Sequence, residues 1–375
     1  MASPLETQNI TFLSQRKFHN CFIVPATATH GILRVTYAIA GPELASSADG
    51  AAADGIETVL FFGGMFGGRW IAPRWDYAAM KENVRCLIID RPSFGGSTSV
   101  PLKDRLHVSL EVIPPLLSHL GIKYIHLASH SAGTIYSLNF LHRYPELLSP
   151  TNPTVTLLSP WVHPTNSGVS LLGLAGSLPN SWLNHWNKTI NFVGGTLIPK
   201  LASSGTVFTA ASNMFKGKTL PEKEKTEENR KCTEAYGVSP ETDRARLQLL
   251  SQWAREETNV GGNDEARLCL KMVAGECSWD AAEDLPEYVS RLARFWEERA
   301  APGEGKKMRV RAVSAEDDFM IGAQGRKYFE TAWEAKCGSG ILFDSSFGPG
   351  TDHDSLAEVV SGAVVTLFRV AKGEA

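Results

Sequence analysis

The sequence predicts an α/β fold with a mostly parallel central sheet that is flanked by helices. Short apolar runs, typical of strands buried on both faces, recur along the chain and alternate with helix-like segments. One of these runs leads through a tight turn of small residues around Ser131 directly into a helix. The alternation stops at Pro164 and resumes near residue 307, which indicates a helical insertion in the α/β core.

The bulk composition is ordinary for a globular protein and excludes several classes of partner. Of the 375 residues, 43% are hydrophobic and 21% are charged, and the formal net charge is −3. This charge balance gives no reason to expect nucleic acid or an anionic membrane as a partner. No uncharged apolar run approaches the ~18 residues of a membrane span. We therefore expect a small-molecule substrate, with no cofactor and no metal; the oligomeric state is left open.

Cysteine usage and the amino terminus indicate a cytoplasmic location. The six cysteines are scattered and none form a C-x-x-C pair, which favours reduced thiols over a disulfide framework. The first residues contain neither the basic nor the apolar segment of a secretory leader.

The first strands are predicted at residues 21–27 and 32–41, joined by a turn at Gly31. Residues 45–55 are of low complexity and predict a surface loop.

The run from Thr58 to Phe62 predicts a strand buried on both faces, and a glycine-rich segment at residues 63–68 follows it. Glycines at the carboxyl end of such a strand let the backbone approach a ligand, and a backbone N–H there can bind a developing oxyanion. The alternative interpretation is a plain flexible loop.

The next strand, Val84–Ile89, ends at Asp90 and is followed by a predicted helix at residues 104–120. The turn-rich sequence after Asp90 favours a structural role for its carboxylate, bonded to nearby backbone N–H groups. Pro114 and Pro115 predict a kink in the helix, and Gly121 predicts its end.

The turn Ala128–Gly133 lies between a strand at residues 124–127 and a helix at residues 134–144. A serine in the middle of such a turn has strained backbone and presents its hydroxyl to a cleft. Ser131 holds this position, and Ser129 stands where the usual motif has glycine. A further strand, Thr154–Leu158, leads into Trp161 and His163.

This order of strand, glycine turn, strand with D-R-P-x-F-G-G-S, and strand with S-H-S-A-G resembles the α/β-hydrolase fold superfamily. The resemblance is greatest to the serine hydrolases that carry a helical cap, and it covers about residues 20–163 and resumes near 307. It implies a first core part at 1–163, a cap at 164–300 over the active site, and a second core part at 301–375.

The composition of the inserted segment predicts an apolar substrate of moderate size. Five of the nine tryptophans lie between Pro164 and Ala300, and residues 169–183 are apolar and uncharged. A Gly194-Gly195 pair is a candidate hinge for a lid. Tyr288, Leu292, Phe295 and Trp296 have the spacing of an amphipathic helix, and residues 221–231 are charged enough to predict a solvated helix face.

The core resumes with a strand at 308–313 and a last strand at 340–343, and a final helix is predicted at 355–370. A serine nucleophile needs a base and a third group that orients the base. In the superfamily the chain order is serine, acid, histidine, and Ser131, Asp317 and His353 follow that order. Asp317 lies three residues beyond Ser314, and the adjacent Asp318 is the alternative acid.

The remaining site residues follow from their positions beside this triad. The N–H groups of Ala132 and Met65 are predicted to stabilise the oxyanion, with Phe66 as the alternative donor to Met65. We place four residues in the substrate site: Phe66, His130, Trp161 and His163.

The leading hypothesis is a serine hydrolase that acts on an ester, lactone or thioester. Epoxide hydrolases and dehalogenases of the superfamily carry Asp where this chain has Ser131, which argues against those activities. A carbon–carbon hydrolase or lyase with the same triad, and a non-catalytic ligand-binding member of the fold, remain the alternatives.

Overall fold

A computed structural model describes residues 3–44, 55–169, 222–257, 260–299 and 306–374. In these ranges one eight-stranded sheet has the order β1-β2-β4-β3-β5-β6-β7-β8. β2 is antiparallel to both of its neighbours and the other pairs are parallel, which confirms the predicted fold class. The strands are β1 (Asn20–Val24), β2 (Leu33–Ala40), β3 (Thr58–Phe62), β4 (Arg85–Ile89), β5 (His126–His130), β6 (Thr154–Leu158), β7 (Met308–Asp317) and β8 (Ile341–Asp352).

The apolar runs correctly predicted where β3 and β6 begin and end, whereas the last two strands are longer than predicted. β7 and β8 stay paired as far as Asp317 and Asp352, across an irregularity between Ala315 and Asp317. The glycines and proline at 348–350 predicted a loop, but β8 is an edge strand that pairs with β7. An edge strand accommodates Pro349 because one side of its backbone needs no ladder hydrogen bond.

The helices in the described ranges flank the sheet and fill the connection from β6 to β7. The predicted helix at 104–120 is present as two helices that meet at Val112, just before Pro114 and Pro115. The helices are α1 (Pro4–Leu13), α2 (Ala72–Glu82), α3 (Arg105–Glu111), α4 (Ile113–His119), α5 (Gly133–Arg143), α6 (Pro164–Ser167), α7 (Glu222–Tyr236), α8 (Pro240–Glu256), α9 (Val260–Cys269), α10 (Leu285–Arg299), α11 (Gly322–Lys336) and α12 (Ala363–Lys372).

The first helix, α1, was not predicted although the sequence carries a signal for it. Ser3 caps α1 through a capping box with Glu6, the reciprocal pairing that an S-x-x-E pattern indicates. The box supplies partners for backbone N–H groups that a helix start leaves unpaired.

The core has two apolar layers, one on each face of the sheet. Successive strand side chains point to opposite faces, so Leu60 and Phe62 join one layer and Val59 and Phe61 join the other. The first layer includes buried residues of α3, α4, α5, α10 and α11. The second includes buried residues of α2 and α12.

The described helices between β6 and β7 confirm that the insertion is helical. Tyr288, Leu292 and Trp296 of α10 are buried, as the amphipathic spacing predicted. The charged residues of α7 that the structure describes are largely exposed. The predicted apolar stretch at 169–183, apart from its first residue, and the Gly194-Gly195 hinge lie outside the described residues.

The strand order determines where a ligand site can form. β4 lies on one side of β3, and β5 follows in the chain but lies on the other side of β3. Such a switch point leaves a crevice at the carboxyl ends of the two strands. The glycine turn after β3 and Ser131 after β5 both lie at this crevice.

No helix in the described ranges is both long and apolar enough to cross a membrane.

Candidate active site

Ser131 occupies a strained turn between β5 and α5. Its φ is +51°, in the left-handed region that non-glycine residues rarely adopt, and the residue is 2% exposed. A Cβ atom at Gly133 would lie 2.1 Å from the Phe62 carbonyl oxygen, so only glycine lets α5 start this close to β3. Ser129, in place of the usual glycine, is fully buried.

His353 follows β8 directly and joins Ser131 to a carboxylate. Its Nε2 lies 2.8 Å from the Ser131 Oγ, and its Nδ1 lies 2.9 Å from both carboxylate oxygens of Asp318. Because the carboxylate only accepts, Nδ1 donates to Asp318, and Nε2 is left as the acceptor for the serine hydroxyl. The three side chains therefore form a Ser-His-Asp arrangement.

The structure places Asp318, not Asp317, against His353, so the predicted choice of acid is corrected. β7 continues through Asp317, whose side chain is exposed and whose backbone pairs with Asp352. Ser314, from which the position was counted, is still within the strand rather than in a turn. Asp318 is the first residue after the strand and is free to turn towards His353.

The electrostatics of the pair favour its charged form. Burial alone would raise the pKa of Asp318, but His353 and hydrogen bonds such as that from the Ile321 N–H lower this pKa to about 2. The Asp318 Oδ1 accepts hydrogen bonds from the backbone N–H groups of Met320 and Ile321, at 3.0 and 2.9 Å. Burial alone would lower the pKa of His353, but the Asp318 charge raises it above its ordinary value.

His130, which the sequence placed in the substrate site, is buried against the loop that carries His353. Its Nε2 donates to the His353 carbonyl oxygen over 2.8 Å, and the two ring centroids lie 5.1 Å apart. Burial, followed by the nearby His353 ring, lowers the pKa of His130 to about 3. His130 therefore stays neutral near pH 7 and anchors the His353 backbone.

His130, His353 and Asp354 lie close enough together to suggest a metal site. The ring of His353 has no free nitrogen for a metal, because Nε2 contacts Ser131 and Nδ1 contacts Asp318. The cluster therefore fits the triad better than it fits an ion.

The predicted oxyanion donors flank Ser131 at the crevice. Ala132 is fully buried and caps α5, and Met65 lies in the turn after β3. No described group accepts a hydrogen bond from the N–H of Ala132 or of Met65. Phe66, the alternative donor, is half-buried with its ring against Gly262 of α9.

Trp161 and His163 contact the inserted segment rather than Ser131. Trp161 is 3% exposed, and its indole N–H donates to the Cys269 carbonyl oxygen over 3.3 Å. His163 is half-buried and accepts the Thr165 N–H at the start of α6. Both residues line a cavity with Trp279, and Ser131 is not among the described residues around that cavity.

Two residues near the site were not found from the sequence. Arg91 follows β4 and is 4% exposed, and it donates to backbone carbonyls of the turn after β3. Glu265 of α9 is fully buried and pairs with Arg91. The charged pair Asp90-Arg91 directly after a buried strand was the available signal for Arg91; nothing local marks Glu265.

Comparisons with known proteins give similarity in structure alone. No family model and no curated protein matches the sequence. An α/β hydrolase from a Medee basin deep-sea metagenome is 17% identical, with a TM-score of 0.52 over 94% of this chain and 98% of its own. An epoxide hydrolase from Vigna radiata is 14% identical, with a TM-score of 0.53 over 96% of this chain and 99% of its own. Together with the sheet order and the turn at Ser131, these similarities show that the chain has the α/β-hydrolase fold.

Proposed function

We propose that this protein is a serine hydrolase that cleaves an ester, lactone or thioester of a moderately sized apolar substrate. The observation that carries the proposal is the 2.8 Å contact from the Ser131 Oγ to the His353 Nε2, with His353 bonded in turn to Asp318. This is the geometry that a nucleophile, its base and the group orienting the base require.

The mechanism follows from these contacts. Ser131 attacks the substrate carbonyl carbon while His353 takes the hydroxyl proton at Nε2. The N–H groups of Ala132 and Met65 stabilise the negative oxygen of the tetrahedral intermediate. Protonated His353, paired with Asp318, returns the proton to the leaving group, and an acyl-enzyme remains. Water, deprotonated by His353, then releases the acid and restores Ser131.

The identity of the nucleophile favours acyl transfer over epoxide opening. One of the structurally similar proteins is an epoxide hydrolase, and such enzymes carry Asp where this chain has Ser131. The His353 contact activates a hydroxyl that attacks carbonyl carbon and needs no carboxylate nucleophile.

The proposal also includes a cap over the site and a cytoplasmic location. The inserted helical segment acts as the cap over the site, and its apolar stretch binds the substrate. A cytoplasmic location is supported by six cysteines that are all free thiols.

A fluorophosphonate probe with an intact-mass readout tests the nucleophile. We expect one adduct on the wild-type protein and none on a Ser131→Ala protein, together with turnover in a panel of esters, lactones and thioesters. Turnover of diketones but not esters would favour the carbon–carbon hydrolase. Tight ligand binding with neither labelling nor turnover would favour the non-catalytic alternative and reject the proposal.

A further inference from the structure

The turn between β3 and α2 has glycine at four of its six positions, residues 63–68, and its other two side chains, Met65 and Phe66, pack against the core. A Cβ atom at Gly63 would lie 2.9 Å from the Gly67 Cα, so the turn folds tightly on itself. One internal hydrogen bond, from the Gly67 N–H to the Gly64 carbonyl at 2.8 Å, closes it. Glycine-rich backbone has a large conformational entropy, so a turn of this kind needs an external restraint to hold one geometry.

Arg91 supplies that restraint from the segment that follows the neighbouring strand β4. Its Nη2 donates to the carbonyl oxygens of Gly64, Met65 and Gly67, the last two at 3.4 and 3.3 Å. These carbonyls belong to the same turn that carries the Met65 N–H. The orientation of the Arg91 guanidinium therefore determines where that N–H points.

Arg91 is in turn held by a carboxylate of the inserted segment. The Glu265 Oε2 lies 3.2 Å from the Arg91 Nη1, and the Glu265 side chain is 0% exposed. The Glu265 Oε1 accepts the Arg105 Nε–H and the Tyr136 hydroxyl, the latter at 2.6 Å. A buried guanidinium requires a charged partner, and Glu265 is placed to hold Arg91 and Arg105 together.

The same carboxylate thus contacts both halves of the candidate site. Tyr136 belongs to α5, the helix that starts beside Ser131, while Arg91 holds the turn after β3. The helix that carries Glu265 is also fixed to the core, since the Gly261 N–H donates to the Ser93 carbonyl over 3.1 Å.

We propose that Glu265 is a positioning residue which, through Arg91, holds the turn at residues 63–67 so that the Met65 N–H faces the Ser131 reaction centre. This inference rests on the proposed hydrolase function and adds a role for the inserted segment: α9 sets the oxyanion geometry. Glu265 touches no reacting atom, so its effect appears in the transition state rather than in substrate binding.

The test compares Glu265→Gln with Glu257→Gln in the full chain. Glu265→Gln keeps an acceptor for Tyr136 but removes the charge that holds Arg91. Glu257→Gln removes another ion pair between the insertion and the core, that with Arg69, which retains Asp90 as a partner.

Two readouts are measured for each protein: the steady-state constants on the best ester, and amide hydrogen exchange of a peptide spanning residues 59–68, which excludes the Glu257 partners Arg69 and Trp70. For Glu265→Gln we expect kcat to fall about 10- to 100-fold with KM within about threefold, below the 10²–10³ typical for complete loss of an oxyanion donor. Exchange in the turn should be about tenfold faster than in the wild type. Glu257→Gln should leave both readouts near wild type.

Wild-type exchange of the turn in Glu265→Gln overturns the proposal, whatever happens to kcat. Equal effects of both variants also overturn it. The changes in kcat and exchange would then come from a general weakening of the contacts between the insertion and the core. If the wild type hydrolyses nothing, the proposed function fails, while the exchange comparison still decides the positioning role.

Should Glu265→Gln fail to fold, Arg91→Met takes its place. This variant leaves Arg105 and Glu265 as a balanced pair and removes the restraint on the turn. We expect the same faster exchange and the same fall in kcat; wild-type exchange in Arg91→Met rejects the proposal.

Discussion

The substitution Asp318→Asn tests whether Asp318 is the acid of the triad, and the hydrogen bonds around its carboxylate predict the outcome. The Asp318 Oδ1 accepts the N–H groups of Met320 and Ile321. An amide nitrogen at that position would face two donors, so the Asn oxygen should occupy it and the amide NH₂ should face the His353 Nδ1. Since NH₂ only donates, it favours the His353 tautomer with its proton on Nε2, which cannot accept one from Ser131. The Asn oxygen also lies within reach of Nδ1, but it already accepts two backbone N–H groups.

Two effects lower kcat in Asp318→Asn, and they differ in size. The pKa of Asp318, about 2 against an ordinary 3.8, corresponds to about 2 kcal/mol of net preference for the carboxylate, to which burial, His353 and neighbouring hydrogen-bond donors all contribute. Loss of all of this preference from the transition state would slow turnover about 30-fold. The wrong tautomer is the larger effect, about 10⁴-fold in a serine protease with the same Asp-to-Asn change. We therefore expect a fall in kcat nearer 10⁴-fold than 30-fold.

The assay is ester hydrolysis by the wild type, Asp318→Asn and the matched control Asp317→Asn. Asp317 is exposed and outside the triad, so its variant should keep kcat within about threefold of wild type. Melting temperatures of all three proteins show whether a variant with a lower kcat has also lost its folded structure. A crippled Asp317→Asn beside an active Asp318→Asn would refute the assignment of the acid.

Other predictions concern the remaining parts of the site. Ser131→Ala should lose about 10⁶ in kcat yet keep the wild-type melting temperature, and retained turnover would reject Ser131 as the nucleophile. Because protonated His353 cannot act as a base and its pKa is raised, kcat/KM should fall on acidification with a midpoint above 6.5, and a midpoint below 6 would contradict this. Gly133→Ala places a Cβ against the Phe62 carbonyl and should cost about 1–3 kcal/mol of stability with loss of activity; a neutral effect in a melting curve would show that the turn can relax. If the cap binds an apolar acyl chain, each added methylene should raise kcat/KM up to about fourfold over p-nitrophenyl esters, and a flat series from acetate to octanoate would show that the apolar stretch is structural.

The features that the sequence predicted well depend on local chemistry. The apolar runs at Thr58–Phe62 and Thr154–Leu158 are buried strands with the predicted ends, because a strand buried on both faces needs a continuous apolar sequence. The turn around Ser131 was recognised because a strand and helix that nearly touch leave room only for small residues. As in other open α/β sheets, the site lies at the carboxyl ends of the strands where the strand order reverses, here β3 and β5.

Other features depended on contacts between distant segments. The choice of Asp318 over Asp317 follows from how far β7 pairs with β8, and strand pairing is a property of two segments rather than one. His130 was placed in the substrate site because its neighbour is Ser131, but its ring bonds a carbonyl 223 positions away.

By itself the sequence determined the fold class, because buried strands and helices alternate along the chain as apolar and amphipathic segments. It also located the turn that carries Ser131 and the loop histidine His353, because each depends on residue types within one short segment. Only the tertiary structure decided the acid, the role of His130 and the buried Arg91–Glu265 pair. Glu265 meets Arg105 across 160 positions of sequence, and no local pattern marks either as a partner. A buried charge is stable only beside a partner of opposite charge. Here the packing of the inserted helix α9 on the core places that partner.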